Sequence, residues 1–374
     1  RIFNVKDMQN EITVKHIVSI VIINWNNWMD TLECLKSLLN INNSVFQIVL
    51  VDNNSTDDSI TQIRDFARQI PLEISEFREG ELENPRSKND LQEKLVLIKN
   101  NINHGFAAGN NIGVHFALQY LNPDYVLLLN NDTITHENFL DELLRVACRN
   151  DRVGSIQPVL LNYDASAIDS LGQECYWWGA EDICMGQPLN HIEKGIFSDG
   201  EIFGSCAAAA LYPCEVLRET GLFDEDFFVE LEDVDLSWRI RLSGYNSFLA
   251  GKALVYHKRG VSGTLSSRDI IKGVKDEPMV RKWHRQSRNW LIIVTRYYPK
   301  SIIAKAIFRY PHKVLFTLFR LIYSSIILGK IIKTGKILHK NLKVRKKVKK
   351  NRFWSQICQK WLKSSPTKCG NMHK

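Results

Sequence analysis

The feature that most constrains this chain is an alternation in its first 150 residues, where short β-branched apolar runs are each followed by a helix-like stretch. Ile17 to Ile23 is a continuous apolar run with one serine, the pattern of a strand covered on both faces. Trp28 to Leu39 then has helical amphipathic spacing, and Phe46 to Val51 is a second strand. Ser55, followed by Thr56, Asp57 and Asp58, supplies a cap and acidic first-turn residues for a helix from Thr56 to Gln69. Glu79 to Glu93 is charged, poor in apolar residues and interrupted by proline, so it reads as a surface loop before a third strand, Leu95 to Ile98. A helix from Ala107 to Leu121, a fourth strand from Tyr125 to Leu129 and a helix from His136 to Cys148 complete the series. Repeated βαβ units build a parallel, doubly wound sheet.

After about residue 150 the rhythm changes. Short strands are expected at Gly154 to Leu161, Ile202 to Tyr212 and Phe248 to His257, with a helix from Val234 to Leu242. The expected organisation is an extension (1–16), an α/β nucleotide half (17–150), a mixed acceptor half (151–300) and a C-terminal tail (301–374). Within the tail, Val314 to Leu328 is largely apolar and Lys333 to Arg352 is densely basic. The apolar part falls short of the roughly 20 residues a spanning helix needs, which predicts an amphipathic helix lying on an anionic surface.

Charge sharpens the division. Pro278 to Lys374 holds 25 of the 49 Lys and Arg and none of the 41 Asp and Glu, leaving 24 basic against 41 acidic residues before it, a net of −17. An acidic body argues against a nucleic-acid-binding core, so no nucleic-acid partner is expected. The eight cysteines show no C-x-x-C pair and no zinc-ligand spacing, which points to reduced thiols in a cytosolic setting. Arg1 to Lys15 mixes charges of both signs and does not read as a secretory leader.

Three loops at the carboxyl ends of the first, second and fourth strands are rich in Asn and Asp: Asn24-Trp25-Asn26, Asp52-Asn53-Asn54-Ser55 and Asn130-Asn131-Asp132. Open α/β sheets bind ligands at such ends. A carboxylate there can accept from a base or ribose, which suits Asp52, or hold a hard divalent cation against a diphosphate, which suits Asp132. Each loop alone could be a plain turn, and together they indicate a site. Gly105 and Gly109 open a helix, where bare backbone could approach an anion. Glu230, Glu232, Asp233 and Asp235 crowd four carboxylates into six positions, which would raise at least one pKa and poise a base, or would merely cap a helix. His257, followed by Lys258 and Arg259, could ligate a metal beside cations for phosphate. Arg288, in a Trp-rich helix from Trp283 to Trp290, could pair with diphosphate or lie along a membrane surface.

The strings VSIVIINWNN, IVLVDNNSTD, NHGFAAGNNIG, YVLLLNNDT, GLFDEDFFVELEDVDLSWR and VYH, in that order, resemble the family-2 glycosyltransferases, inverting enzymes of the GT-A fold, and within them the rhamnosyltransferase-like branch. The similarity runs over roughly 17–296. It implies a Rossmann-like, mostly parallel mixed sheet flanked by helices and a nucleotide-diphosphate sugar donor. Asn24 and Trp25 would line the base pocket, with Asp52 near the nucleoside and Asn54, Gly105, Gly109, Asn131 and Arg288 around the donor. Asp132 is the surviving carboxylate of the D-x-D-type motif, here Asn130-Asn131-Asp132, and His257 would complete a site for Mg2+ or Mn2+. Asp233 would be the general base, with Glu232 beside it. The Q-x-x-R-W string of processive synthases is absent, the nearest being Gln286-Ser287-Arg288-Asn289-Trp290, which favours single addition.

The resemblance further implies L-rhamnose as donor sugar and a saccharide or polyprenyl-linked acceptor in surface polysaccharide or cell-wall synthesis. The protein would sit peripherally on the cytoplasmic face of the membrane. Galactofuranose, glucose or N-acetylhexosamine donors are the alternatives, as is a non-catalytic protein that binds anionic surfaces through its tail. A nucleotidyltransferase is disfavoured, because the first loop carries Asn and Trp in place of a Gly-rich start.

Overall fold

The computed structural model describes residues 16–42, 45–69, 73–81, 94–189, 197–259 and 277–365. The predicted alternation forms β1 (Ile17–Asn24), α1 (Trp28–Leu38), β2 (Val45–Asp52), α2 (Ser59–Ala67), β3 (Glu73–Arg78), β4 (Lys94–Lys99), α3 (Gly105–Phe116), β5 (Tyr125–Asn130), β6 (Thr133–Thr135) and α4 (Phe139–Arg149). Within this series β3 and the short β6 escaped the sequence reading. β3 pairs parallel with β4 at the sheet edge, where its charged residues alternate too weakly to mark a strand. Most of the predicted surface loop, residues 82–93, lies outside the described residues.

The second half supplies β7 (Val153–Asn162), β8 (Ile168–Ser170), β9 (Gln173–Tyr176), β10 (Gly179–Asp182), β11 (Gly200–Ile202), β12 (Ala209–Pro213), α5 (Cys214–Thr220), α6 (Glu232–Leu242) and β13 (Asn246–His257). The single strand expected over Ile202 to Tyr212 is two strands, because the chain leaves β11 and re-enters the sheet at β12. The main sheet runs β11-β13-β7-β12-β5-β1-β2-β4-β3, with β6 on β13 and β8 on β7. β12 is antiparallel to β5 and inserts between it and β7. The two halves expected from the sequence therefore share one continuous sheet. Ile20, Ile22, Leu50 and Leu97 are buried on one face of it and Val21, Val49, Val51 and Val96 on the other.

Five helices follow: α7 (Glu277–Tyr297), α8 (Lys300–Arg309), α9 (Pro311–Ile327), α10 (Ile331–Val348) and α11 (Trp354–Trp361), then β14 (Leu362–Lys363). The sequence predicted a basic tail, yet much of this region is built into the body. β14 pairs with β9, and Val348, Ile357 and Leu362 join a core with Phe227, Trp238 and Tyr297. Trp238 stacks on Tyr297 with ring centroids 5.0 Å apart. Arg345 is spent on structure, donating to the carbonyls of Thr295 and Tyr298 at 2.7 Å each. What stays free is one face of α9 and the start of α10, where Leu315, Phe316, Phe319, Ile322, Ile326 and Ile332 are exposed. Among the described residues no helix is long and apolar enough to cross a membrane. Among the described residues six cysteines are free thiols, but Cys184 is disulfide-bonded, which departs from the expectation of reduced thiols throughout.

Candidate functional site

The register of the central strands decides where chemistry can occur. Asn24 pairs with Asp52 across β1 and β2, and Ile23 with Asn130 across β1 and β5, so all three Asn/Asp loops leave the sheet at one edge.

Asp52 is 3% exposed, and both its oxygens are engaged, Oδ1 by Asn24 Nδ2 at 2.8 Å and Oδ2 by the Ser55 amide at 3.0 Å. Asn24 was expected to line the base pocket. It is instead fully buried, its amide giving hydrogen to Asp52 and Ser55 and its carbonyl accepting from Thr31 at 2.8 Å, so it braces Asp52. Trp25, 56% exposed, and the exposed Asn54, held at a φ of +62°, stand at the rim. Asn53, given no separate role in the sequence reading, ties the loop before α3: its carbonyl accepts from Asn100 and the His104 amide at 3.0 Å each, and its NH2 reaches the Gly105 carbonyl at 3.1 Å.

The two glycines are explained by packing. A Cβ on Gly109 would lie 2.2 Å from Ile23, and one on Gly105, whose φ is +80°, would lie 2.5 Å from the Phe228 ring. The room both leave is filled by protein, which corrects the expectation of backbone open to a ligand. Asn131 likewise turns inward, donating to Thr31 at 2.9 Å.

Asp132 and His257 meet as predicted, Oδ1 to Nε2 at 3.1 Å, with side chains 12% and 8% exposed. The other ring nitrogen, Nδ1, lies 2.8 Å from Asp169 Oδ2. Burial works against a charged imidazole, but the two carboxylates outweigh it and push His257 up from 6.5 to about 9. Asp169 is the orienting partner expected behind a metal-ligating histidine: it accepts Nδ1–H, so that Nε2 would offer its lone pair once a cation displaces its proton. The pair therefore suits a divalent cation that takes its remaining ligands from a diphosphate and water. No cluster of three or more His, Cys, Asp or Glu able to hold a metal exists among the described residues, so a cation here would depend on its nucleotide.

The cations after His257 are not free for phosphate. Lys258 contacts Asp30 at 2.5 Å and also Glu33, while Arg259 pairs with Asp169 and with Asp182 at 2.9 Å. Asp169 and Asp182 were missed in the sequence because they sit in short strands with no repeating pattern. Through them the histidine site continues to the acidic cluster, since Asp182 raises the Asp233 carboxyl.

Asp233 lies in the first turn of α6, and its Oδ2 accepts from the Ala207 amide at 3.1 Å. The next carbonyl, of Ala208, accepts from the Asn130 amide at 2.9 Å, so Asp233 and Asp132 flank one stretch of backbone. Burial raises Asp233 from 3.8 to about 6, partly offset by the amides of Ala207 and Val234. Glu232, buried and with Oε2 unpartnered among the described residues, is held well above the usual carboxylate range by burial and by Asp233. Asp235 is structural, bonded to Arg239, Arg296 and Tyr297.

The loop entering α6 carries three non-glycine residues at positive φ, Phe228 at +65°, Glu230 at +73° and Leu231 at +69°. Asn289 holds it, donating to the carbonyls of Phe227, Val229 and Glu230 at 3.1, 2.9 and 2.7 Å. Arg288 was expected at the donor diphosphate or on a membrane. It is buried, bonded to Asn289 Oδ1 and to the Phe227 carbonyl at 3.0 Å, so it supports this loop.

A mostly parallel sheet with a carboxylate and an imidazole at its strand ends and a raised carboxylate beyond them has the GT-A fold, which two solved structures share. GalNAc-T7 with UDP, GalNAc and Mn2+ superposes with a TM-score of 0.53 at 14% identity over 77% of this chain and 49% of that one. The mannosyltransferase PcManGT of Pyrobaculum calidifontis, in complex with GDP-Man and Mn2+, gives 0.50 at 15% over 89% and 85%. Residues 19–221 match the model of glycosyl transferase family 2, and the chain belongs to that family. Among characterised relatives, the low-salt glycan biosynthesis hexosyltransferase Agl10 of Haloferax volcanii is 24% identical over 61% of this chain and 63% of its own length. An N-acetylglucosaminyl-diphospho-decaprenol L-rhamnosyltransferase of Mycobacterium tuberculosis is 26% identical over 37% and 48%. The chain thus spans less than two thirds of either relative.

Proposed function

We propose that the protein is an inverting, metal-dependent hexosyltransferase that moves a sugar from a nucleotide-diphosphate donor to a saccharide or lipid-linked saccharide. The observation that carries this is the chain of contacts joining Asp132 and His257 to Asp233 around the ends of β5, β12 and β13. Asp52 and its brace Asn24 take the nucleoside end, and Asp132 and His257 hold the cation. With Mg2+ or Mn2+ held there by Asp132 and His257, the cation would offset charge developing on the departing diphosphate.

Asp233, raised toward neutrality, accepts the proton of the acceptor hydroxyl as that oxygen bonds to the anomeric carbon. The bond from that carbon to the diphosphate breaks on the opposite face, so the configuration inverts. A positioned base contributes roughly 10²–10⁴-fold in rate. Glu232, neutral beside it, leaves Asp233 as the ionised member of the pair.

L-Rhamnose is the donor sugar we favour, on the likeness to the mycobacterial rhamnosyltransferase, whose name also supports a polyprenyl diphosphate acceptor. The exposed apolar face of α9 and the start of α10, set among lysines and arginines, supports docking on an anionic membrane, for which we propose the cytoplasmic face. A screen of nucleotide sugars with Mn2+, read by product mass, tests the assignment. Transfer from a deoxythymidine-diphosphate rhamnose donor is expected, and preference for another sugar would replace rhamnose.

A further inference from the structure

Behind the catalytic loop, a cavity of about 360 Å³ opens between α7 and the start of α10, reaching the Phe228 ring. Five cations line it: Arg281, Arg285 and Arg288 from α7, and Lys330 and Lys333 from the turn into α10. Among the described residues, Arg285, Arg288, Lys330 and Lys333 form no ion pair with a carboxylate, and Arg285 Nε, shut off from solvent, has no hydrogen-bond partner. The two acidic residues at the rim are engaged elsewhere, Glu225 accepting from Asn111 at 3.3 Å and Asp226 pairing with Lys340 at 2.6 Å.

Like charges this close oppose one another. Burial and the neighbouring Arg281, Lys333, Arg288 and Arg285 hold the Lys330 ammonium below its ordinary range. Burial and the nearby Arg288, Lys330 and Arg285 push His284, on the cavity wall, down to about 4. A cavity that gathers Arg285, Arg288, Lys330 and Lys333 with no carboxylate ion-paired to them among the described residues is suited to an anion supplied from outside. α10 adds the positive end of its dipole, since Lys330 precedes its first turn.

We propose that this cavity binds a phosphate or diphosphate ester at a site separate from the donor's. On the proposed function the donor diphosphate lies beside Asp132, past the ends of β5 and β13, whereas every cation here comes from the C-terminal helical region. Guanidinium groups and ammonium ions together match a diphosphate, with bidentate bonds from Arg and point charges from Lys. Exposed Phe316 and Phe319 on α9 and Ile332 on α10 belong to the same helical region, so a chain attached to the bound phosphate would have apolar surface nearby. The diphosphate could equally come free from solution. Arg288 links the cavity to catalysis, because the same guanidinium holds the Phe227 carbonyl of the strained loop.

The test is calorimetric and needs no turnover, so its outcome is independent of the transferase reading. The full chain is titrated with inorganic pyrophosphate and with farnesyl diphosphate in EDTA, as wild type, as Lys333→Gln, as Lys330→Gln/Lys333→Gln and as Asp132→Asn. Pyrophosphate affinity is expected to fall about tenfold or more in the double variant, about 1.4 kcal/mol, to fall less in Lys333→Gln, and to be unchanged in Asp132→Asn. Lys333 is exposed, and its removal relieves repulsion, so that variant stays folded. Tighter binding of farnesyl diphosphate assigns the site to lipid-linked phosphate, and equal binding assigns it to free phosphate. Unchanged pyrophosphate affinity in the double variant, or a parallel loss in Asp132→Asn, overturns the proposal.

Discussion

Replacing Asp233 by Asn should stop the reaction and stabilise the protein, and the two effects have one cause. A carboxamide at this position cannot take the acceptor proton, so turnover should fall by about 10²–10⁴ while nucleotide affinity holds. In the folded protein the Asp233 carboxyl sits near 6 against an ordinary 3.8. It is an acid raised on folding, so the unfolded chain releases its proton first, and stability declines as pH rises from about 4 to about 6. Above that window the full penalty is at most ~3 kcal/mol, an upper limit because the side chain is only half-buried. The amide oxygen of Asn still accepts one of the two bonds from Ala207 and Val234, and losing the other costs about 1 kcal/mol. The net gain at pH 8 is then ~2 kcal/mol, or roughly 2–3 °C in Tm for a chain of 374 residues. Thermal unfolding of both proteins at pH 4 and pH 8, beside single-turnover rates, reads all of this. A Tm difference that does not change with pH would refute the environment assigned to Asp233, and retained turnover would refute its role.

Wild-type kcat should climb with pH through about 6 and level off above it, and a rate flat from pH 5 to 8 would contradict Asp233 as base. Asp169→Asn loosens the histidine without touching the cation, so the Mn2+ concentration for half-maximal activity should rise about 10–100-fold, with kcat at saturating metal largely kept. Gly109→Ala forces a methyl to within 2.2 Å of Ile23 and should cost about 1–3 kcal/mol, measured by urea unfolding. Phe316→Asp with Phe319→Asp should abolish flotation with anionic vesicles while leaving Tm unchanged, since both side chains are exposed.

How legible the sequence was depended on repetition. Strands β1, β2, β4 and β5 announced themselves because they are covered on both faces and stay apolar throughout, and their spacing placed Asp52 and Asp132 at one edge. β3 did not, because an edge strand can carry Glu73, Glu76 and Arg78. Asp132, His257 and Asp233 were found through motif strings, whereas Asp169 and Asp182 stand in short strands with neighbours that carry no pattern. Asn24 was read as ligand-facing through the family resemblance, and Arg288 as pairing with diphosphate or lying along a membrane. Their hydrogen bonds are satisfied inside the protein by partners 28 and 61 residues away, which composition and periodicity do not encode. The basic tail misled for a similar reason. Charge counting treats it as surface, yet Arg296 and Arg345 are buried against Asp235 and backbone carbonyls.

The central claim is direct displacement at the anomeric carbon by an oxygen that Asp233 deprotonates. Proton NMR of the glycosidic linkage in the product formed from a donor of known anomeric configuration tests it most directly. A product of opposite configuration, absent with Asp233→Asn, is the predicted result, and a product that keeps the donor's configuration would contradict the account.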